Sequence, residues 1–299
     1  MVPPQTVSTP PQTVSALRAG EDVTGVFACV RKDRLSSRTG SAYLALELRD
    51  HTGTIPARAF RDADQLAGRF ERGDLVTVAG KVERFRDDLV VEVADIARAS
   101  GEDPARFLPS AYRDLDELEG FLEHLASEVY ERHYRSLLQA LLGDASLRAA
   151  WRRAPATRAS HHAYLGGLLE HTVAVATLAH EVCQQHPRLN ADLLLTAALV
   201  HDLGRTREFT YGADFGVTEE GRLLGHLVIG ERLISGFAPR AGVGLDQERL
   251  LALLHCVLSH HGPSSSPSGG RFGSAEALAL YRINAVDASV KGVLEGSGR

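Results

Sequence analysis

The chain has 299 residues, 44% of them hydrophobic and 24% charged, with a formal net charge of −5. That is the composition of a globular protein long enough for two domains, and the negative balance excludes coating of nucleic acid by bulk charge, though not a local basic groove. No apolar run reaches the roughly 18 residues that span a bilayer, the start Met1-Val2-Pro3-Pro4-Gln5-Thr6 lacks the segments of a signal peptide, and three scattered cysteines (Cys29, Cys183, Cys256) exclude a disulfide framework, so a cytoplasmic protein is expected.

Residues 1–18, rich in Pro, Gln, Thr and Ser, read as a disordered tail. From 19 to 100 the pattern is one of short strands: Val23–Val30, the alternating Tyr43–Arg49, a turn at Asp50-His51-Thr52-Gly53, then Thr54–Phe60. A helical link through Ala63–Leu66 precedes Leu75–Glu83 and Leu89–Ile96. Five strands in so short a stretch suit a small closed barrel. The run Tyr43–Ile55, with Gly73-Asp74-Leu75-Val76 and Gly80-Lys81-Val82-Glu83, resembles a nucleic-acid-type OB-fold. Such barrels stack bases on aromatics and follow phosphates with Lys and Arg. Candidates are Phe27, Tyr43, Phe60 and Phe85, with Arg31, Lys32, Arg34, Arg38, Arg58 and Arg84. Against this, barrel aromatics often fill the core, and Arg31-Lys32-Asp33-Arg34 also reads as a solvated loop.

Residues 101–114 form a Gly/Pro-containing linker, and from 115 to 299 the period is helical, as in Leu115, Leu118, Phe121, Leu122 and Leu125. The fold class expected is multidomain α+β, a five-stranded OB-type barrel followed by an all-α helical bundle. His124 and His133 read as surface residues and Trp151 as packing.

The chemistry lies in His171, His201-Asp202, His226, His260-His261 and Asp287, successive members 20 to 40 residues apart, about one helical hairpin each. Imidazoles and carboxylates suit Mn, Fe, Co, Ni or Zn, and an aspartate next to a histidine can bridge two ions. The assignment is His171, His201, Asp202 and Asp287 around one ion, and Asp202, His226, His260 and His261 around the other. Such a pair can hold a bridging hydroxide and clamp an in-line displacement at phosphorus. His201-Asp202-Leu203-Gly204-Arg205, with the other ligands in order, resembles the HD-type phosphohydrolases; His180, His186 and His255 fall outside the pattern.

His161-His162-Ala163-Tyr164-Leu165-Gly166-Gly167-Leu168-Leu169-Glu170-His171-Thr172, Asn190-Ala191-Asp192-Leu193-Leu194, Gly221-Arg222-Leu223-Leu224-Gly225-His226 and Leu258-Ser259-His260-His261-Gly262 resemble the YhaM family of bacterial 3′→5′ exoribonucleases over roughly residues 20 to 295. The resemblance implies an OB-fold before an HD domain and manganese-dependent hydrolysis of single-stranded RNA from the 3′ end to nucleoside 5′-monophosphates. Single-stranded DNA is a second candidate substrate, and Fe2+, Co2+ or Mg2+ are alternative metals. In the mechanism expected, Asp202 anchors the attack, Arg205 offsets phosphoryl charge, and His161 or His162 contacts the terminal phosphate or protonates the leaving oxygen. Tyr164 meets the terminal nucleotide, and Gly166-Gly167 admit a close backbone approach. Two features depart from the family: Arg205 stands where it has Lys, and the loop 263–270 is unusually rich in Ser and Gly. Other readings are an HD nucleotidase or cyclic-dinucleotide phosphodiesterase, and a non-catalytic nucleic-acid-binding regulator.

Overall fold

The computed structural model describes residues 12–36, 40–240, 242, 244–262, 264 and 271–296. The chain divides into two compact units. One runs up to Pro109 and takes in Tyr211–Phe215; the other holds Ser110–Thr210 and the chain from Gly216 on.

In the first unit β1 (Asp22–Ser36), β2 (Ala42–Asp50), β3 (Gly53–Ala59), β4 (Leu75–Phe85) and β5 (Asp88–Arg98) form a closed barrel in the order β1-β2-β3-β5-β4, with helix α1 (Ala63–Ala67) between β3 and β4. The two-residue period sends Leu44, Leu46 and Leu48 of β2 and Ile55, Ala57 and Ala59 of β3 inward, where they meet Phe27, Val76 and Val78. Closure needs a close approach at Gly80, where a Cβ would stand 2.3 Å from the Glu92 carbonyl oxygen, at the bulge between Ala79 and Gly80.

Three expectations need correction here. β1 continues through Ser36, so Arg31–Arg34 are strand and not loop; they pair with Glu47 through Leu44. The segment read as a disordered tail is ordered from Gln12: Leu17 is buried in the barrel core, a 3-10 turn spans Val14–Ala16, and the Val14 N–H donates to Asp50 at 2.8 Å. Composition concealed one apolar anchor and one backbone donor; residues 1–11 lie outside the described residues. The presumed linker is likewise packed, since Ala105 and Leu108 are buried and Asp103 caps a 3-10 turn at Pro104–Phe107.

The second unit contains α2 (Leu115–Ser127), α3 (Arg132–Gly143), α4 (Ala145–Arg153), α5 (Gly167–Gln185), α6 (Ala191–Val200), α7 (Arg205–Glu208), α8 (Glu219–Phe237), α9 (Gln247–Ser259) and α10 (Ala275–Gly296). Their apolar faces make one core around Leu118, Leu137, Leu168, Leu194, Ile234 and Leu280. Trp151 is buried and donates to Thr172, and His124 is exposed. This part of the chain is not all-α: between α7 and α8, β6 (Phe209–Tyr211) and β7 (Phe215–Val217) form a two-stranded ribbon. Among the described residues no helix is long and apolar enough to cross a membrane.

Candidate metal centre

Asp202 is the hub. It follows α6, whose Leu193–Val200 are all buried, so helix packing carries the carboxylate into the interior, where it is 4% exposed. Its two oxygens face different partners. Oδ2 lies 3.7 Å from His201 Nε2 and 3.8 Å from His171 Nε2. Oδ1 lies 3.3 Å from His226 Nε2 and 3.4 Å from His260 Nε2. His261 joins the second set, its Nε2 2.8 Å from that of His226. Two groups of potential ligand atoms thus share Asp202: one with His171 and His201, the other with His226, His260 and His261.

Local structure fixes which nitrogen of each ring is the ligand. His201 and His260 sit at helix C-caps, where the last carbonyls lack helical partners. His201 Nδ1 donates to the Ala198 carbonyl at 2.8 Å, and His260 Nδ1 to the Val257 carbonyl at 2.6 Å. His171 Nδ1 donates to Asp287 Oδ2 at 2.6 Å. All three rings therefore turn the Nε2 lone pair toward Asp202. Nε2 of His171 and of His201 stand 3.2 Å apart, acceptor against acceptor. Asp202 Oδ1 and His260 Nε2 are buried with no hydrogen-bond partner.

Electrostatics point the same way. Burial drives His201 well below the usual histidine range and lowers His260; burial and the neighbouring His260 hold His261 down at about 3. Burial would by itself raise Asp202, but Arg205, His201 and His226 hold it well below the ordinary carboxylate range. Neutral imidazoles around an ionised carboxylate, with orphaned acceptors converging, are what a divalent cation requires. The residues fit the group.

Two glycines shape the approach of His226. Gly225 adopts φ 68° and ψ 161°, a conformation for glycine alone, and kinks α8 just before the ligand. Gly204 packs beneath it, where a Cβ would stand 1.9 Å from the His226 carbonyl oxygen.

The remaining expected residues fall into different places. Asp287 does not group with His201 and Asp202 but makes a third group of potential ligand atoms with His162 and His171, its Oδ2 lying 2.6 Å from His171 Nδ1 and 3.0 Å from His162 Nε2. His162 is buried, and Tyr164 is joined to it and to Glu170 by hydrogen bonds of 2.8 and 2.9 Å, so neither is disposed as a substrate contact. His161 remains partly open, with its ring 5.5 Å from that of His171; burial, then His171 and His162, lowers it to about 4. A neutral His161 can hydrogen-bond a phosphate but has no proton to spare as an acid near neutral pH. Gly166 and Gly167 approach protein and not ligand: a Cβ would meet Leu115 at 2.5 Å and the His162 carbonyl oxygen at 2.1 Å. Arg205 Nε lies 3.5 Å from Asp202 Oδ1, and Nη1 donates to Glu208 at 2.6 Å. Burial would raise Glu208, but His226 and Arg205 hold it below the ordinary range. Glu208 was missed in the sequence, although its spacing three residues after Arg205 was a readable sign. His255 accepts from the Gly273 N–H at 2.8 Å and stays outside both groups. Apart from Ser264, the loop 263–270 lies outside the described residues.

On the barrel, Phe27 is core and not a stacking platform. Tyr43 and Phe60 lie on the outer face of β2 and just past β3, their rings 5.4 Å apart, and Phe60 is half exposed. Arg58 covers the half-exposed ring of Phe85 at 4.2 Å. Tyr43 and Arg58 also line a cavity of about 310 Å³ with Arg31, Leu35, Glu47 and Pro56. Lys32 is spent on the Ala67 and Phe70 carbonyls, Arg34 pairs with Asp64, and Arg84 is exposed. Arg38 lies outside the described residues.

Comparison with known proteins agrees with this division. Residues 168–289 match the HD domain family, residues 25–97 a family described as OB-fold nucleic acid binding domain, and residues 124–192 one described as a putative helicase. The chain is 30% identical over 280 residues to the 3′-5′ exoribonuclease YhaM of Shouchella clausii, covering 91% of this chain and 85% of that one. With the protein of the same name from Halalkalibacterium halodurans it shares 28% over 290 residues, at the same coverage. The second OB-fold domain of replication protein A from Methanococcus maripaludis aligns with 30% of this chain and 96% of its own, at 22% identity and a TM-score of 0.25.

Proposed function

This chain belongs to the YhaM family of 3′-5′ exoribonucleases, and from that premise we propose that it removes nucleoside 5′-monophosphates from the 3′ end of single-stranded RNA, using two divalent cations, manganese foremost. The observation that carries the two-cation reading is the division of the Asp202 oxygens between two sets of imidazole nitrogens. His171, His201 and Asp202 would hold one ion; Asp202, His226, His260 and His261 the other. Bound there, such ions supply Lewis acidity and lower the pKa of water.

The chain's own residues do the rest. Arg205, fixed by Glu208, places a permanent positive charge beside Asp202, where the charge of the phosphoryl oxygens needs offsetting. His161, neutral and partly open, hydrogen-bonds the terminal phosphate. On the barrel, Tyr43, Phe60 and Phe85 offer stacking faces and Arg58 a phosphate contact, on the β2–β3 side that OB-folds use for oligonucleotides.

The test is a 5′-labelled single-stranded RNA and its DNA counterpart, each incubated with the protein and Mn2+, with EDTA as control. A ladder shortening from the 3′ end, abolished by EDTA and by Asp202→Ala, is expected. Intact strands from a metal-loaded protein would overturn the reading in favour of small phosphate esters.

A further inference from the structure

A carboxylate stands on the face of the barrel that carries the stacking aromatics. Glu47 lies on the outward side of β2, in the row Tyr43, Ala45, Glu47, Arg49, and lines the cavity of about 310 Å³ together with Tyr43 and Arg58. Strand pairing puts Arg31 of β1 on one side of it and Pro56 of β3 on the other. The neighbouring cations are engaged elsewhere. Arg31 Nε is 2.5 Å from Asp33, Arg49 is turned to Asp214 and the Phe107 carbonyl, and Arg58 lies over the ring of Phe85. Among the described residues no side-chain hydrogen bond or ion pair takes up the Glu47 carboxylate.

A groove that follows a strand irrespective of sequence is basic and aromatic, and a negative charge in it repels phosphates. Without a partner, the carboxylate does nothing for the fold either. What it can do is accept hydrogen bonds from a base. Ala45 offers only a methyl between Tyr43 and Glu47, so the floor is open between an aromatic wall and an acceptor, each about 7 Å away along the strand. Leu35, opposite Tyr43 on β1 and 42% exposed, widens the apolar wall. The cavity is at the low end of the about 300–1,000 Å³ range of small-ligand sites, which suits one nucleobase.

The bases differ in what they can give. Unpaired bases present their Watson–Crick edges, and a carboxylate can only accept. Guanine offers it two donors side by side, N1–H and N2–H. Adenine and cytosine each offer one amino group beside a ring nitrogen whose lone pair would meet the second carboxylate oxygen. Uracil offers N3–H between two carbonyls.

We propose that this hollow is a guanine-selective subsite, in which a base packed against Tyr43 and over Ala45 donates N1–H and N2–H to Glu47. This rests on the reading of the chain as one that takes up single-stranded RNA, and it makes the barrel a reader of base identity.

The experiment is fluorescence anisotropy with the full-length protein in EDTA, which withholds metal and keeps the strands intact. The probes are short 5′-labelled oligouridylates whose central position is uracil, guanine, inosine, adenine or cytosine. The guanine strand is expected to bind about five- to a hundredfold more tightly than the all-uracil strand. Inosine, which keeps N1–H and lacks the 2-amino group, should fall between them. Glu47→Gln should lose most of the guanine advantage, while its binding of the all-uracil strand holds or tightens because a charge facing phosphates is gone. Equal affinity for the guanine, inosine and uracil strands would overturn the subsite. So would a preference for adenine or cytosine, binding of none of the strands, or a guanine advantage undiminished in Glu47→Gln. The inosine comparison is made on the unaltered chain and stands even if the variant does not fold. Failure of the nuclease reading looks different. A guanine preference in a protein that leaves RNA intact with Mn2+ keeps the subsite and removes the exonuclease; a ladder from the 3′ end with no preference among the strands does the reverse.

Discussion

Gly204 and His226 are in backbone contact: a Cβ on Gly204 would stand 1.9 Å from the His226 carbonyl oxygen and 2.7 Å from the Gly230 nitrogen. The opposing groups are backbone and cannot rotate away. Gly204→Ala must therefore push α8 outward and carry His226 from Asp202. We expect about 1–3 kcal/mol lost to overpacking and turnover reduced at least about a hundredfold. Urea unfolding and RNA turnover on the same preparation check both; an alanine variant with near-normal turnover would show that His226 does not need this approach.

Arg205 presents a second test. Its Nη1 is tied to Glu208 and its Nε stands beside Asp202. If charge is what matters, Arg205→Lys should keep turnover within about tenfold, whereas Arg205→Ala should lose about a hundred- to a thousandfold. Equal losses in both would mean that the planar fork, and not the charge, is required.

The barrel aromatics separate binding from stability. Removing one stacked base contact costs about 1–3 kcal/mol, so Tyr43→Ala, Phe60→Ala and Phe85→Ala should raise KM for a long single strand about five- to a hundredfold, with kcat unchanged. Phe27→Ala should instead destabilise the protein by about 3–5 kcal/mol, as a core truncation does. A KM unaffected by all three surface changes would remove stacking from the barrel's role.

Acid should unfold the metal-free protein early. His201, His260 and His261 are all held below the ordinary histidine value of 6.5, the last at about 3, so each binds a proton more readily in the unfolded chain than in the folded one. Between the folded and unfolded values the unfolded state holds more protons, and stability falls as pH drops below about 6.5, by up to about 1.4 kcal/mol per pH unit for each such histidine. Asp202 and Asp287, held below 3.8, add a loss of the same sign at lower pH. Urea midpoints in EDTA at pH 7.5, 6 and 5 measure this; a flat profile would contradict neutral buried imidazoles.

Much of this was legible because it repeats. Leu44, Leu46 and Leu48 opposite Ile55, Ala57 and Ala59 spell out a barrel wall at a period of two, and the ligands recur at the spacing of helical hairpins. What escaped notice lacks a local period. Arg31–Ser36 extends β1 with charged residues because both β1 ends have partners, which only the closed sheet supplies. Leu17 is one apolar residue in a polar stretch, and its value depends on a cavity formed elsewhere. Glu170 and Lys291, hydrogen-bonded to each other, are 121 residues apart, and nothing in either neighbourhood announces the other. Asp287 stands out by its position in the series, but its hydrogen bond to His162 goes with a left-handed backbone at residue 162 that composition does not encode.

The helix-end carbonyls of Ala198 and Val257 have an evolutionary consequence. Because the groups that orient His201 and His260 are main chain, every substitution at 198 or 257 that leaves the helix intact retains them. His171 has no such insurance: its orientation depends on a side chain from α10, which a single codon can change. Drift or selection that retunes this centre should therefore enter through the His171 half, while the other two ligands stay as their helices leave them.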